Sequence, residues 1–141
     1  MGIADADTAE HDSGSRNIVI APVSCAVPNR APGDPKLVGA ARLSIVPGSS
    51  LHSIYGRDQV DERYFCNYEV NPQFEARLRD AGLRIVARGP QAEIRAVELP
   101  DHRFFLATLF QPQLSSQTDE PHPVLMAFLA AAGQSAKSQR A

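Results

Sequence analysis

Cysteine is scarce in this chain of 141 residues, which carries only Cys25 and Cys66. Two thiols cannot build a disulfide scaffold and show no Cys-x-x-Cys spacing for zinc, so each is read as a reduced, partly buried small residue. No apolar run approaches the roughly 20 residues a membrane-spanning helix needs. The amino-terminal Met-Gly-Ile-Ala-Asp-Ala-Asp-Thr-Ala-Glu is acidic where a signal peptide would be basic and then apolar. The expectation is a soluble, cytoplasmic chain with no membrane contact. Charge of one sign is not gathered anywhere, and 14 basic residues against 16 acidic ones give a net charge of -2. That balance argues against nucleic acid as a partner. His11, His52, His102 and His122 share no ligand-like spacing, so a structural or solvated role is expected for all four, with no metal and no cofactor.

What is present is enough apolar material, 43% of residues, for one domain with a core. Residues 1–16 are small and polar without periodicity and read as a flexible segment. Asn17-Ile18-Val19-Ile20-Ala21-Pro22-Val23 is a β-branched run suited to a buried strand, and the proline-rich residues 28–35 read as an exposed connection. Strands are expected over 37–46, closed by a Pro47-Gly48-Ser49-Ser50 turn, and over 59–70. Asn71-Pro72 pairs an N-cap with proline at the first helical position, predicting a helix with Phe74 and Leu78 on one face and Gly82 at its end. Residues 83–87 and 94–99 flank Gly89-Pro90 and predict an antiparallel pair. The nearly continuous apolar run over 104–110 predicts a strand buried on both faces. A last helix over 123–132 is expected to turn Leu125, Phe128, Leu129 and Ala132 to the core, with a polar tail over 133–141. The fold class is α/β and strand-rich, with one main unit over 17–132.

Three motifs narrow this reading: Tyr68-Glu69-Val70-Asn71-Pro72, Ala81-Gly82-Leu83-Arg84-Ile85, and Glu98-Leu99-Pro100-Asp101-His102-Arg103-Phe104-Phe105 followed by Phe110-Gln111-Pro112-Gln113 and Pro121-His122-Pro123. In order and spacing they resemble the C-terminal half of the class I glutamine amidotransferase domain of CTP synthase, which implies part of a flavodoxin-like α/β fold. The resemblance implies glutamine hydrolysis by a Cys–His–Glu arrangement, feeding ammonia to a synthase domain that makes CTP from UTP and ATP. A thiolate attacks the amide, the imidazole moves the proton and the carboxylate steadies it.

The chain departs from that pattern. No Gly-x-Cys-x-Gly turn occurs, and Pro28 soon after Cys25 opposes the helix that would follow a nucleophile. Gln111 stands at the family's His and Gln113 at its Glu, and a primary amide does not titrate. Asn67 falls where an arginine would face glutamine's carboxylate, while Tyr68 matches and either lines the old pocket or simply packs. Gln111, Asn67 and Tyr68 are therefore the candidate binding positions for a small ligand, glutamine-like or another amide. The resemblance also places family sequence ahead of Met1, leaving an uncovered sheet edge; an excerpt of a longer protein is preferred to a remnant needing a partner. The leading expectation is a catalytically incompetent amidotransferase-like chain acting through binding or assembly, with self-association or a synthase-type partner. The alternatives are a fragment of a thiol enzyme acting on another amide or ester, and a Gln-Pro-Gln turn that only fills space.

Overall fold

The computed structural model describes residues 3–23 and 37–138, so Cys25 and the proline-rich stretch at 28–35 lie outside the described residues. In chain order the strands are β1 (Ala6–Thr8), β2 (Asn17–Pro22), β3 (Val38–Ile45), β4 (Gln59–Phe65), β5 (Tyr68–Val70), β6 (Arg84–Arg88), β7 (Ile94–Glu98) and β8 (Leu106–Thr108). The helices are α1 (Ser50–Tyr55), α2 (Glu75–Asp80) and α3 (Pro123–Ser138). A small sheet runs β1-β2-β5 and a five-stranded one β4-β3-β6-β7-β8. β1 and β2 pair in parallel, and every other pairing is antiparallel. The expected α/β, strand-rich class holds.

The main core lies between the large sheet and two helices. Leu43 and Ile45 point inward from β3, Val86 and Ala87 from β6, and Ala96 from β7; Leu51 of α1, Val124 of α3 and Phe110 cover them. A second cluster, Phe74, Leu78 and Leu83 packed by Val19, Val70 and Val97, joins the small sheet to the large one. The Asn71-Pro72 signal works as the residue types dictate. The Asn71 side chain accepts from the Gln73 N–H, Pro72–Phe74 forms a 3-10 turn, and α2 follows. Asn71 Nδ2 also donates to Ile18 O at 2.9 Å, so the cap doubles as a tie to β2. Gly82 ends the unit at φ +90°, where a Cβ would be strained.

Several expectations are corrected. Residues 1–16 include a short strand, because β1 pairs with β2. Residues 47–50 are followed by α1, capped by Ser49 Oγ accepting from His52 N and ended by Gly56 at φ +65°. The single strand expected over 59–70 is two strands in different sheets. The break comes at Cys66-Asn67, where Asn67 O accepts from Val23 N and Asn67 Oδ1 from Leu37 N, both at 2.7 Å, so the chain is passed from one sheet to the other. β2 is half-buried along its length. The run 104–110 is not buried on both faces: β8 is a three-residue edge strand, Phe105 is 40% exposed, Leu106 packs on the core half-buried, and only Phe110 is fully buried. α3 continues past Gly133 to Ser138, and of its apolar side chains Val124 is buried while Phe128 and Leu129 are 53% and 59% exposed. Apolar residues on nearly every side of this helix leave its buried face to be set by α1, against which it packs.

Replacing Asn71 with alanine removes the cap and the tie to Ile18 together, and the expected loss is about 1–2 kcal/mol of unfolding free energy. Asn71→Asp keeps the cap acceptor and loses only the tie, so chemical denaturation should rank it between wild type and Asn71→Ala. Equal stability of all three would show that neither bond matters.

Candidate functional site

The candidate positions gather where the large sheet curls back on itself. After β8, Leu109 N still donates to Arg95 O of β7 at 2.9 Å, and two residues later Gln111 N donates to Arg63 O of β4, also at 2.9 Å. The chain thus crosses from one edge of the sheet to the other through buried Phe110. Gln111 is extended, and Pro112 opens the short 3-10 turn Pro112–Leu114. The Gln111 side chain continues what its backbone begins: Oε1 accepts from Phe65 N at 2.6 Å. One residue therefore caps two backbone groups at the edge of β4, and Arg63 Nη1 lies 3.4 Å from Leu114 O on the far side of the turn. Gln113 is exposed on that turn.

Asn67 and Tyr68 follow Phe65 closely, so the four expected positions do flank one stretch of chain. Their side chains are not equally free to meet a ligand. Asn67 Oδ1 is engaged by Leu37 N. Tyr68 is half-buried in β5 opposite Pro22, with its N–H 3.4 Å from Cys66 Sγ. The Gln111 amide oxygen is committed to Phe65, leaving its NH₂ as the outward group. Nothing in this set can accept a thiol proton near neutral pH.

A second polar cluster escaped the sequence reading. Val60, Glu62 and Tyr64 alternate on the inward face of β4, and Glu62 and His122 are 3% and 5% exposed. His122 Nε2 lies 3.0 Å from Glu62 Oε1, which also accepts a short hydrogen bond from the Tyr55 hydroxyl. Burial, and then the hydrogen bond to the Glu62 carboxylate, push the Tyr55 hydroxyl well above the ordinary phenol range, so it stays a donor. Glu62 Oε2 is buried without a partner. A cavity of about 370 Å³ lined by Tyr55, Arg57, Val60, Glu62 and Pro123 adjoins the cluster. A glutamate among inward apolar positions was the available signal; its partner stands 60 residues away in sequence.

The other histidines are peripheral. His11 pairs with Asp7, His52 Nε2 with Asp58 at 2.9 Å, and His102 Nδ1 lies 3.0 Å from Phe104 O. Among the described residues no group of three His, Cys, Asp or Glu side chains could hold a metal, and no helix is long and apolar enough to cross a membrane. Between the two sheets lies an almost wholly apolar cleft of about 220 Å³, walled by Val19, Val70, Leu78, Val97, Phe105 and Leu109 among others.

No family model matches the chain. It is 37% identical over 133 residues to the CTP synthase of Caldivirga maquilingensis, covering 94% of this chain and 24% of that protein. The CTP synthase of Cytophaga hutchinsonii is 30% identical over 141 residues, or 99% of this chain and 26% of its own length. That of Aeropyrum pernix is 44% identical over 96 residues, 67% of this chain and 18% of that protein. The chain therefore spans about a quarter or less of the curated relatives it matches. A solved structure described as the glutaminase domain of Trypanosoma brucei CTPS with bound acivicin superposes with a TM-score of 0.84 at 34% identity, over 94% of this chain and 52% of that one.

The bond from Phe65 N to Gln111 makes a sharp expectation. Gln111→Ala should unpair the Phe65 amide and cost about 1 kcal/mol, discounted from the buried value because the contact is near solvent. Amide exchange should accelerate at Phe65 and leave Val86, in the core, unchanged. Unaltered exchange at Phe65 would remove the capping role.

Proposed function

The chain belongs to the CTP synthase family as a counterpart of the C-terminal part of its glutamine amidotransferase domain, and on that premise we propose that it is a non-catalytic amidotransferase-like module, working by packing and not by glutamine hydrolysis. The observation that carries this reading is the Gln111 side chain bonded to Phe65 N at 2.6 Å. By the family resemblance this position belongs to the histidine that moves protons. Here it holds a group that does not titrate and whose oxygen is occupied by a strand edge. Gln113, at the family's glutamate, has neither charge nor an imidazole to orient.

The other groups able to do acid–base work are committed elsewhere. Buried His122 faces Glu62. Cys66, the free thiol among the described residues, stands at the β4–β5 break with its sulfur toward the Tyr68 amide. Asn67 offers no positive charge to a ligand carboxylate, and a charge-assisted contact of that kind is worth about 1.5–3 kcal/mol. Free glutamine is therefore a poor ligand for this turn.

Packing is the role the apolar surface favours. The cleft between the sheets, with 40%-exposed Phe105 on its wall, and the outward Phe128 and Leu129 of α3 are surface that a partner of amidotransferase type would cover. Leaving a few hundred Å² of apolar area in water costs several kcal/mol at about 25 cal/mol per Å². The partner is either another part of an amidotransferase fold or a second copy of this chain.

Two measurements test the proposal. The purified 141-residue chain, and its Gln111→His/Gln113→Glu variant, should release no glutamate from glutamine above a protein-free control. Activity in the variant would mean that a usable thiol already faces the turn, favouring a thiol enzyme. In sizing chromatography the chain alone should elute as a self-associated species, and a sharp monomer peak with a cooperative melt would overturn the packing role.

A further inference from the structure

The Glu62–Tyr55–His122 cluster takes no part in the reading above, and its hydrogen bonds define a protonation state. Val124 N lies 3.2 Å from His122 Nδ1. A backbone N–H can only donate, so Nδ1 must present its lone pair. The ring is then neutral, its single proton sits on Nε2, and that proton is given to Glu62 Oε1 at 3.0 Å. Both nitrogens are used, one as acceptor and one as donor, and neither arrangement survives if the ring is turned over.

The position of the residue gives this tautomer its consequence. α3 begins at Pro123, so His122 is its N-cap, and its imidazole does for the second helical N–H what a serine or aspartate side chain usually does. Its carbonyl accepts from Met126 N at 3.1 Å, the first bond of the helix. Its own N–H donates to Ser116 Oγ at 3.1 Å, tying in the segment that began at Gln111. The His122 side chain thus links β4 to α3 and, through Glu62, reaches Tyr55 of α1, while its backbone N–H ties in the 111–122 segment.

We infer that His122 is a proton-operated latch on α3: with Nδ1 unprotonated its ring caps the helix, and with both ring nitrogens protonated it releases the helix's first turn, while its backbone N–H keeps its bond to Ser116. Nδ1 is the only ring nitrogen free to take a second proton. Once it does, an N–H faces the Val124 N–H and the cap is replaced by a donor–donor contact. The ring must then turn. The unpartnered Oε2 of Glu62 is a second acceptor within the cluster for the turned ring, so that the released form is a defined alternative. Glu62 from β4 and Tyr55 from α1 are the titratable groups that touch the ring. The 111–122 segment contributes Ser116, and buried Phe110 packs 6.4 Å away between centroids; neither titrates.

Two experiments on the full chain decide the matter. Side-chain ¹⁵N NMR near neutral pH should find His122 as the Nε2–H tautomer; an Nδ1–H tautomer or an imidazolium there overturns the latch, and this reading needs no variant. Hydrogen exchange by mass spectrometry, corrected for intrinsic rates, should show the first turn of α3, residues 124–126, losing about tenfold in protection between about pH 8 and about pH 5, the size expected for loss of a helix cap, while β6 and β7 keep theirs. His122→Asn supplies a cap acceptor that takes up no proton, so its protection should stay flat over the same interval. Equal loss in that variant and in wild type would assign the acid response to Glu62 or to general unfolding and refute the inference.

Discussion

The edge of β4 is the place on which the rest of the structure depends. A strand edge leaves N–H and C=O groups that must find partners, and here they find them in a chain returning from the opposite side of the same sheet. Gln111 meets Arg63 O with its backbone and Phe65 N with its side chain, which curls the five strands and buries Phe110 beneath the crossing. A histidine at this position has a shorter, ring-shaped reach than the Gln amide. The longer amide suits the residue to capping an edge.

Behind that edge the same strand carries a buried carboxylate, which by itself would be costly. A carboxylate removed from water has to be compensated by donors. Tyr55 and His122 supply two, both to Oε1, and they come from α1 and α3. The requirement to satisfy Glu62 therefore sets where both helices sit, and Leu51 and Val124, on those helices, complete the apolar core around Leu43 and Val86. Polar satisfaction and apolar packing are mutually dependent here: moving α3 outward would expose Val124 and strand Glu62 in the same step.

How much of this could be read in the sequence follows from how local each signal is. The β6–β7 hairpin and the Asn71-Pro72 start were legible because cap, turn and alternation lie within a few residues. α1 was missed although Ser49 and Gly56 bracket it, since six residues with one fully buried side chain make little periodic pattern. The break between β4 and β5 was illegible for another reason. Cys66-Asn67 has no glycine or proline, and the chain turns there because Asn67 holds the distant Leu37 and Val23. For α3 the apolar residues were seen correctly and the buried side was not, because a helix apolar on most faces carries no moment to orient it. At the site, that Gln111 carries an amide which does not titrate is plain from residue type alone, whereas its bond to Phe65 N and the pairing of Glu62 with His122 are facts of folding together segments 46 and 60 residues apart.

The uneven distribution of burial bears on what such a module can do. Around α1, β6 and the start of α3 the chain is closed, with Leu51 and Val86 fully buried. Toward β1, β2 and β8 it is open, with half-buried strands, an apolar cleft and aromatic side chains in solvent. Parallel pairing, as between β1 and β2, is ordinarily covered on both faces, because its strands carry β-branched residues on each. Ile18, Val19 and Ile20 have that composition without that cover. The open half holds the apolar area still in contact with water. The Gln111 edge and the His122 cap draw on none of the residues that wall the cleft, so those bonds and the open apolar surface are independent features of the fold.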